Sequence, residues 1–191
     1  MAKVYEFLAT GFEEMEAIAP IDILRRGGVE VCLVSVTGNK MVRSSHGVNI
    51  EADALLEDIA NFDDADMMLL PGGMPGSTNL NEHEGVRKVL LEQFESGRLL
   101  GAVCAAPLVF ASIGILNGKK ATIYPGMEAY LINGAEPTGT LVQVDENVTT
   151  GAGPVAVLPY AYQLLSYFVP AAEVEKVKED MLYNKVLASA K

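Results

Sequence analysis

The stretch LLGAVCAAPLVF, residues 99–110, joins an apolar run typical of a buried strand to a proline-led run typical of a helix start. Cys104 stands at the junction. The residues around it are all small: Gly101, Ala102, Ala105 and Ala106. Small side chains permit a sharp strand-to-helix elbow, because the backbone can bend there without a clash. We therefore expect an elbow that aims the Cys104 thiol outward over a sheet edge.

The same order of strand and helix continues on both sides of this stretch. KVYEFLA leads into a helix from about Glu13 to Arg26, and VEVCLVSV follows. ADMMLL and PGGMPG lead into a helix from Asn81 to Ser96, in which Asn81 and Glu84 are spaced as a capping pair. A helix from Cys104 ends at about Ile113. This alternation predicts an α/β fold with a mainly parallel sheet covered by helices on both faces.

The remaining segments add to this pattern. SSHGVNIEAD looks like an antiparallel excursion, and further strands are expected in KATIYP, TLVQVD and NVTTG. GPVAVLPYAYQLLSYF predicts another helix, and a charged amphipathic helix from Pro170 closes the chain. With 191 residues and no linker or repeat, the chain is expected to form one domain, residues 1–191.

Composition excludes several classes of function. Hydrophobic residues make up 50% of the chain and charged residues 20%, as in a well-cored globular protein. The net charge of -11 disfavours nucleic acid and anionic membranes as partners. No run has membrane-spanning length and no signal sequence is recognised, so a cytoplasmic location is expected. The two cysteines, Cys32 and Cys104, lack metal-ligand spacing, so we expect free thiols and no metal, with Cys32 in the core.

The glycine segment LLPGGMPG and the segment around Cys104 each follow a predicted parallel strand, so we expect them to meet at one edge of the sheet. Folds of this kind bind their ligands at that edge. A thiol at a helix N-terminus has its pKa lowered by the dipole, although a small core cysteine is the alternative for Cys104. In LLPGGMPG, consecutive glycines follow a buried strand. The N–H groups of Gly73 and Ala105 could form an oxyanion hole, although an ordinary glycine turn explains the segment equally well.

The segment GFEEMEAIAP supplies carboxylates at the same edge. Glu13 and Glu14 are explained as favourable charges near a helix N-terminus. Glu16 differs because it shares a helical stripe with Pro20 and Ile23 and so lies on or beside the buried face. A half-buried carboxyl has a raised pKa, and when protonated it can hydrogen-bond a thiolate and shuttle protons. The alternative is a solvated helix residue.

In this order, GFEEMEAIAPIDILRRGG, LLPGGMPG, GAVCAAP and GAGP resemble the ThiJ/PfpI superfamily, in the branch that contains the parkinsonism-associated protein deglycase. The resemblance runs from Val4 to about Phe168. It implies a flavodoxin-like three-layer α/β/α sandwich, a homodimer and no cofactor. By position in the motifs, Cys104 corresponds to the reactive cysteine, Glu16 to the protonated glutamate, and Gly73 and Ala105 to the backbone donors.

Some positions depart from relatives. Protease-type members carry histidine where this chain has Ala105, and glutamine amidotransferases need a histidine downstream of the cysteine, so neither peptidase nor glutaminase is supported. Tyr124 replaces a histidine of many glyoxalase-active relatives, and a phenol is a poorer base at neutral pH. His46 stands where close relatives carry an arginine that reaches across the dimer interface. It either supplies an imidazole to the partner chain or is a solvent-facing loop residue, and His83 is expected at the surface.

The resemblance implies a cysteine enzyme of the glyoxalase III or deglycase type, which acts on small carbonyls or on glycated adducts and turns methylglyoxal into lactate. The alternative is a redox sensor or holdase chaperone whose Cys104 is oxidised to sulfinate. A low-pKa thiol serves both functions, so the residues do not decide between them. A flavin or nucleotide binder is weakly supported, since no G-x-G-x-x-G or phosphate-loop lysine motif is present.

Overall fold

A sheet of seven strands, six of them parallel, carries the fold of this protein, whose computed structural model describes residues 1–189. Eleven strands occur in the described chain. In chain order they are Lys3–Leu8 (β1), Glu30–Ser35 (β2), Met41–Arg43 (β3), Asn49–Glu51 (β4), Ala54–Leu55 (β5), Met67–Leu70 (β6), Leu99–Val103 (β7), Lys120–Ala121 (β8), Glu136–Pro137 (β9), Val142–Asp145 (β10) and Val148–Gly151 (β11).

The large sheet has the strand order β10-β11-β7-β6-β1-β2-β5, in which only β10 is antiparallel to its neighbour. β3 and β4 form a separate antiparallel hairpin, as the sequence predicted, and β8 pairs with β9. The central strands β1, β6 and β7 are buried almost throughout, which explains their continuous apolar sequences. All three end at the same edge of the sheet, which is where the candidate site lies.

Residues 1–189 contain seven α-helices. They are Glu14–Arg26 (α1), Gly76–Glu82 (α2), Glu84–Glu95 (α3), Pro107–Ser112 (α4), Val157–Leu165 (α5), Ala171–Asp180 (α6) and Tyr183–Ser189 (α7). α1 and α5 pack together on one face, and α2, α3 and α4 lie on the other. The expected three-layer α/β/α sandwich with a mainly parallel sheet is confirmed.

The prediction of a single helix from Asn81 to Ser96 is wrong. The chain forms α2 and α3 there, separated at His83, whose ring nitrogen accepts the Val86 N–H at 3.3 Å and caps α3. The Asn81 side chain does not cap a helix. Instead it accepts hydrogen bonds from Arg87 and from Ser112 of α4. A tertiary contact with α4 therefore occupies the Asn81 side chain, which local spacing had assigned to a helix cap. His83 is half-buried, whereas the sequence predicted it at the surface.

Three smaller expectations change as well. KATIYP contributes only the two-residue strand β8, outside the large sheet. The closing helix is divided into α6 and α7. Cys32, which was expected in the core, is half-buried at the edge of the core. The strand β5 pairs only with the last two residues of β2 and so leaves Cys32 without a neighbouring strand on that side. Within residues 1–189, no helix combines the length and the apolarity that a membrane span requires.

Candidate active site

Cys104 lies at the turn between β7 and α4 with a φ of 60°, in the left-handed region that residues other than glycine rarely adopt. Two neighbours hold this conformation. The Cys104 N–H donates to the Gly151 carbonyl at 2.8 Å, and the Cys104 carbonyl accepts the Tyr124 N–H at 2.9 Å. The expected strand-to-helix elbow is confirmed. The thiol is not held outward, however, because Cys104 is only 8% exposed.

Glu16 covers the thiol from the first turn of α1. Its backbone N–H donates to the Glu13 side chain at 2.8 Å, which caps the helix and fixes this turn. The Glu16 side chain is fully buried, deeper than the half-buried position that the sequence predicted. The Glu16 carboxyl faces the Cys104 thiol and the Gly72 N–H. Within residues 1–189, neither carboxyl oxygen has a partner at hydrogen-bonding geometry. The carboxyl is therefore available to the thiol.

Gly72 is the point at which these two groups meet. A Cβ at Gly72 would lie 2.5 Å from Glu16 Oε2 and 2.6 Å from Cys104 Cβ, and both distances are too short for real atoms. The absence of a side chain at this position thus lets carboxyl and thiol approach each other. The sequence analysis assigned Gly73 to the site but missed Gly72, for which the two consecutive glycines after β6 were the available signal.

The two acids titrate as a coupled pair. Burial raises the pKa of Glu16 to about 7, and the nearby charge of Glu13 also raises it, while the polar contacts with Cys104 and Gly72 lower it. Burial, together with the charge and contact of Glu16, raises the pKa of Cys104 to about 12. The expected lowering of the thiol pKa is therefore wrong, since burial outweighs the elbow's N–H groups. A thiolate forms here when Glu16 holds the proton.

The Gly73 and Ala105 N–H groups face the thiol and lower its pKa. The Gly73 φ is 89°, and a Cβ there would clash with the Glu13 nitrogen, so only glycine fits. The adjacent Glu13 N–H donates to the Gly72 carbonyl at 2.9 Å and holds the glycine loop against α1. Two N–H donors and a buried acid thus surround one sulfur.

The two auxiliary residues of the sequence analysis, Tyr124 and His46, have other side-chain neighbours in the described chain. The Tyr124 ring lies beside Gly153 and is 46% exposed, and the Tyr124 backbone N–H donates to the Cys104 carbonyl. The His46 Nδ1 lies 3.1 Å from a Glu14 carboxylate oxygen, and the ring is largely exposed. Within its own chain, His46 is therefore a partner of Glu14.

One group of side chains in the described chain could offer ligands to a metal ion. The ligand atoms of Glu13, Glu14 and His46 all lie within 4.8 Å of one another. Each is already engaged, because Glu13 caps α1 and Glu14 pairs with His46. We assign no metal to these residues.

Comparisons with known proteins place the chain among proteins of related sequence and fold. A family model described as the DJ-1/PfpI family matches residues 2–167. Protein DJ-1 homolog B of Arabidopsis thaliana is 38% identical over 164 residues, which cover 85% of this chain and 37% of that protein. The chain thus spans little more than a third of that relative's length.

Two relatives carry the names of enzymes. A glutathione-independent glyoxalase of Caenorhabditis elegans is 31% identical over 153 residues, covering 80% of this chain and 81% of that protein. A deglycase of Pyrococcus horikoshii is 32% identical over 154 residues, covering 80% of this chain and 90% of that protein. Among solved structures, oxidized DJ-1 of Toxoplasma gondii matches with a TM-score of 0.90 and 31% identity, over 95% of this chain and 98% of that one.

Proposed function

The chain belongs to the DJ-1/PfpI family, as its four motifs predicted, and from this premise we propose that it is a cofactor-independent cysteine enzyme acting on small reactive carbonyls such as methylglyoxal, or on their adducts with proteins. Relatives named as a glyoxalase and a deglycase support this class of reaction. The observation that carries the proposal is the convergence of the Glu16 carboxyl and two backbone N–H groups on the Cys104 thiol.

The proposed reaction begins with addition of the thiolate to the aldehyde. Since the pair shares one proton, the reactive form has a protonated Glu16 beside the Cys104 thiolate. The sulfur bonds to the aldehyde carbon, and the oxyanion that forms accepts hydrogen bonds from the Gly73 and Ala105 N–H groups. Glu16 then delivers its proton to this oxygen, which gives a neutral hemithioacetal and a carboxylate.

The Glu16 carboxylate next moves a proton between adjacent carbons. It removes the proton from the carbon bonded to sulfur and returns it to the former ketone carbon. The hydroxyl proton of the hemithioacetal passes to the former ketone oxygen, which leaves a 2-hydroxy thioester. Water hydrolyses the thioester and restores the thiol. Methylglyoxal and one water thus become lactate without net oxidation or reduction, so the route needs no cofactor.

A second copy of the chain is part of the proposal. Four large apolar side chains are about half exposed on α1 and on the β3-β4 hairpin: Met15, Ile18, Met41 and Val48. The hairpin packs beside the start of α1, since the Gly11 N–H donates to the Arg43 carbonyl at 2.8 Å. We propose that this apolar face joins two protomers. His46 lies on the same hairpin and is the imidazole that this face would carry to the partner chain.

The direct test is lactate formation from methylglyoxal by the wild type, Cys104→Ser and Glu16→Gln proteins. Cys104→Ser should fall to the uncatalysed rate because the nucleophile is lost. Glu16→Gln should retain the fold and lose about 10²-fold or more of kcat, because a neutral amide cannot carry the proton. Full turnover by Glu16→Gln would show that another group moves the proton, and full turnover by Cys104→Ser would refute the mechanism.

One observation favours a second function. The donors that would hold an oxyanion would equally hold the oxygens of a Cys104 sulfinate, as a redox sensor or holdase requires. Mild peroxide followed by mass spectrometry separates the two functions. The sensor is favoured if the wild type forms no lactate and peroxide adds two oxygens selectively at Cys104. The enzyme is favoured if the wild type forms lactate and substitution of Cys104 abolishes this turnover.

A further inference from the structure

The motif GAGP, residues 151–154, has no role in the proposed reaction, yet it supports the backbone of Cys104. Gly151 ends β11, and its carbonyl accepts the Cys104 N–H at 2.8 Å. Gly153 lies against the Tyr124 ring, and the Tyr124 N–H donates to the Cys104 carbonyl at 2.9 Å. The two groups that bond the Cys104 backbone are therefore part of this motif or in contact with it.

The bond to Gly151 matters because Cys104 has a φ of 60°. A residue other than glycine stays in the left-handed region only where its surroundings hold it there. The bond links neighbouring strands, since Gly151 pairs with Val103, the last residue of β7, in the large sheet. A shift of Gly151 would release the Cys104 amide and let the residue leave this conformation. The place of the Gly151 carbonyl therefore helps to fix the direction of the thiol.

The side chain of Tyr160, on α5, packs against Gly151. Tyr160 is 1% exposed and covers glycines on two neighbouring strands, β7 and β11. A Cβ at Gly151 would lie 3.1 Å from Tyr160 Cδ2 and 3.0 Å from Val103 Cγ2. A Cβ at Gly101 would collide with the Tyr160 hydroxyl oxygen. The tyrosine therefore rests directly on the backbone of β7 and β11, at positions where neither strand has a side chain.

The contribution of Tyr160 to the elbow comes from its ring. Its hydroxyl oxygen is buried and, within the described residues 1–189, has no hydrogen-bond partner. Burying a hydroxyl without a partner costs free energy, so the hydroxyl itself does not hold the strands together. The packing of the aromatic ring on Gly151 is the interaction that restrains the end of β11.

We infer that Tyr160 is a positioning residue for Cys104 that acts through Gly151, an inference that rests on the proposed function only where turnover is measured. The ring holds the end of β11 in place. The Gly151 carbonyl then holds the Cys104 amide, and the amide holds the elbow that directs the thiol. Tyr160 touches no substrate, and its effect on the reaction is the effect of where it places the sulfur.

Three variants separate the Tyr160 ring from its hydroxyl and from general stability. Tyr160→Phe keeps the ring and removes the unpartnered hydroxyl, whereas Tyr160→Leu removes the ring. Tyr162→Leu is the matched control, because Tyr162 lies on the same helix and is 3% exposed. Its ring contacts Tyr183 of α7, and its hydroxyl donates to the Met181 sulfur at 3.4 Å. Thermal unfolding shows how far each leucine variant is destabilised.

Hydrogen exchange at the Cys104 amide measures the restraint directly and needs no turnover. The chain has two cysteines, so ¹⁵N-cysteine labelling reports two amides, and that of Cys32 in β2 is the reference for loosening of the whole sheet. Tyr160→Leu should speed exchange at Cys104 relative to Cys32 by about tenfold or more, because the bond to Gly151 opens locally. Tyr160→Phe and Tyr162→Leu should leave this ratio within about twofold of the wild type.

Gly151→Ala tests the same contact from the strand, should Tyr160→Leu not fold. Its methyl group would press on the Tyr160 ring and on Val103, and exchange at Cys104 should again rise relative to Cys32. A Cys104 ratio that stays at the wild-type value in the ring or the glycine variant overturns the inference. So does a ratio that Tyr162→Leu changes as much as Tyr160→Leu.

Turnover of methylglyoxal supplies the second measurement. Tyr160→Leu should lower kcat by about tenfold or more and leave KM within about twofold, because a misplaced thiol reacts slowly with a substrate that still binds. Tyr160→Phe should keep the wild-type kcat, since the ring remains. Equal losses of kcat in Tyr160→Phe and Tyr160→Leu would overturn the role of the ring while leaving the proposed function standing. If the wild type turns over no methylglyoxal, the proposed function fails, and the exchange ratio still decides whether Tyr160 positions Cys104.

Discussion

Glu6 shows at the scale of one residue how far tertiary contacts displace ordinary side-chain chemistry. It lies in the middle of β1, is 1% exposed, and has a carboxyl oxygen without a hydrogen-bond partner in the described chain. Burial raises its pKa well above 4.5, against the attraction of Arg25. Burial, and after it the charge of Glu6, raises the pKa of the Tyr160 hydroxyl, which is also unpartnered there. The fold therefore holds Glu6 as a neutral acid.

Glu6→Gln should make the protein more stable, by an amount that grows with pH. A folded-state pKa above the unfolded value means that the contribution of Glu6 to stability is complete below about pH 4.3. It is lost as pH rises through the folded pKa, at up to about 1.4 kcal/mol per pH unit. Glutamine cannot ionise and removes this dependence. Urea unfolding at pH 5.5 and pH 7.5 measures the change.

The matched control is the exposed Glu136→Gln, which should leave stability nearly unchanged at both pH values. A Glu6→Gln gain that is the same at pH 5.5 and pH 7.5 would mean that Glu6 does not titrate differently in the folded protein. In that case an ionised Glu6, paired through the field of Arg25, would be the correct description.

At the scale of elements, the site depends on how closely the glycine loop after β6 approaches α1 and the elbow. The loop lies between the start of α1 and the β7-α4 turn, and its Gly72 carbonyl accepts the Glu13 N–H. A Cβ at Gly72 would also lie 2.8 Å from the Val103 carbonyl oxygen, which is backbone and cannot turn away. Three elements can thus meet at one point only because this position lacks a side chain.

Gly72→Ala should lower stability by about 1–3 kcal/mol and slow iodoacetamide alkylation of Cys104, because the methyl group forces the loop away from the thiol and Glu16. Thermal unfolding and the alkylation rate are measured together. Gly85→Ala is the control, since the three atoms nearest to its Cβ would belong to the side chains of His83 and Leu56, at 3.1–3.3 Å, and not to backbone. Equal effects of the two substitutions would contradict a special role for Gly72.

At the scale of the whole molecule, the described chain has apolar surface on more than one side. Met15 and Ile18 stand three residues apart on one side of α1, and Met41 and Val48 are exposed on the β3-β4 hairpin. Val186 of α7 is 62% exposed on a different helix. Both surfaces are apolar, but the proposed dimer uses only the first.

Ile18→Glu should therefore yield a monomer, since a charge at the centre of an apolar interface must be desolvated without a partner. Light scattering after gel filtration should give twice the 20.4 kDa chain mass for the wild type and the single mass for the variant. Val186→Glu adds the same charge elsewhere and should remain a dimer. A monomeric wild type would contradict the proposed dimer. Dissociation by Val186→Glu but not by Ile18→Glu would place the interface at α7 instead.

Much of the architecture followed from local patterns. Alternation of apolar runs and amphipathic stretches predicted the α/β sandwich, because both faces of a parallel strand must be covered. The small residues around Cys104 predicted the elbow, since backbone strain depends on the neighbouring side chains. The helical stripe of Glu16 predicted that its carboxyl turns inward. Each of these properties depends on residues that are close in the chain.

What only the tertiary structure decided depends on residues far apart in the chain. The thiol is buried and its pKa is raised because Glu16 of α1 and Gly72 of the glycine loop close over an elbow some 30 to 90 residues away. The helix predicted over residues 81–96 is divided at His83, which caps α3, while the Asn81 side chain bonds to Ser112 of α4. Burial and charge act through space, so a pattern along the chain determines which elements form, whereas packing determines the acidity of the groups that they bring together.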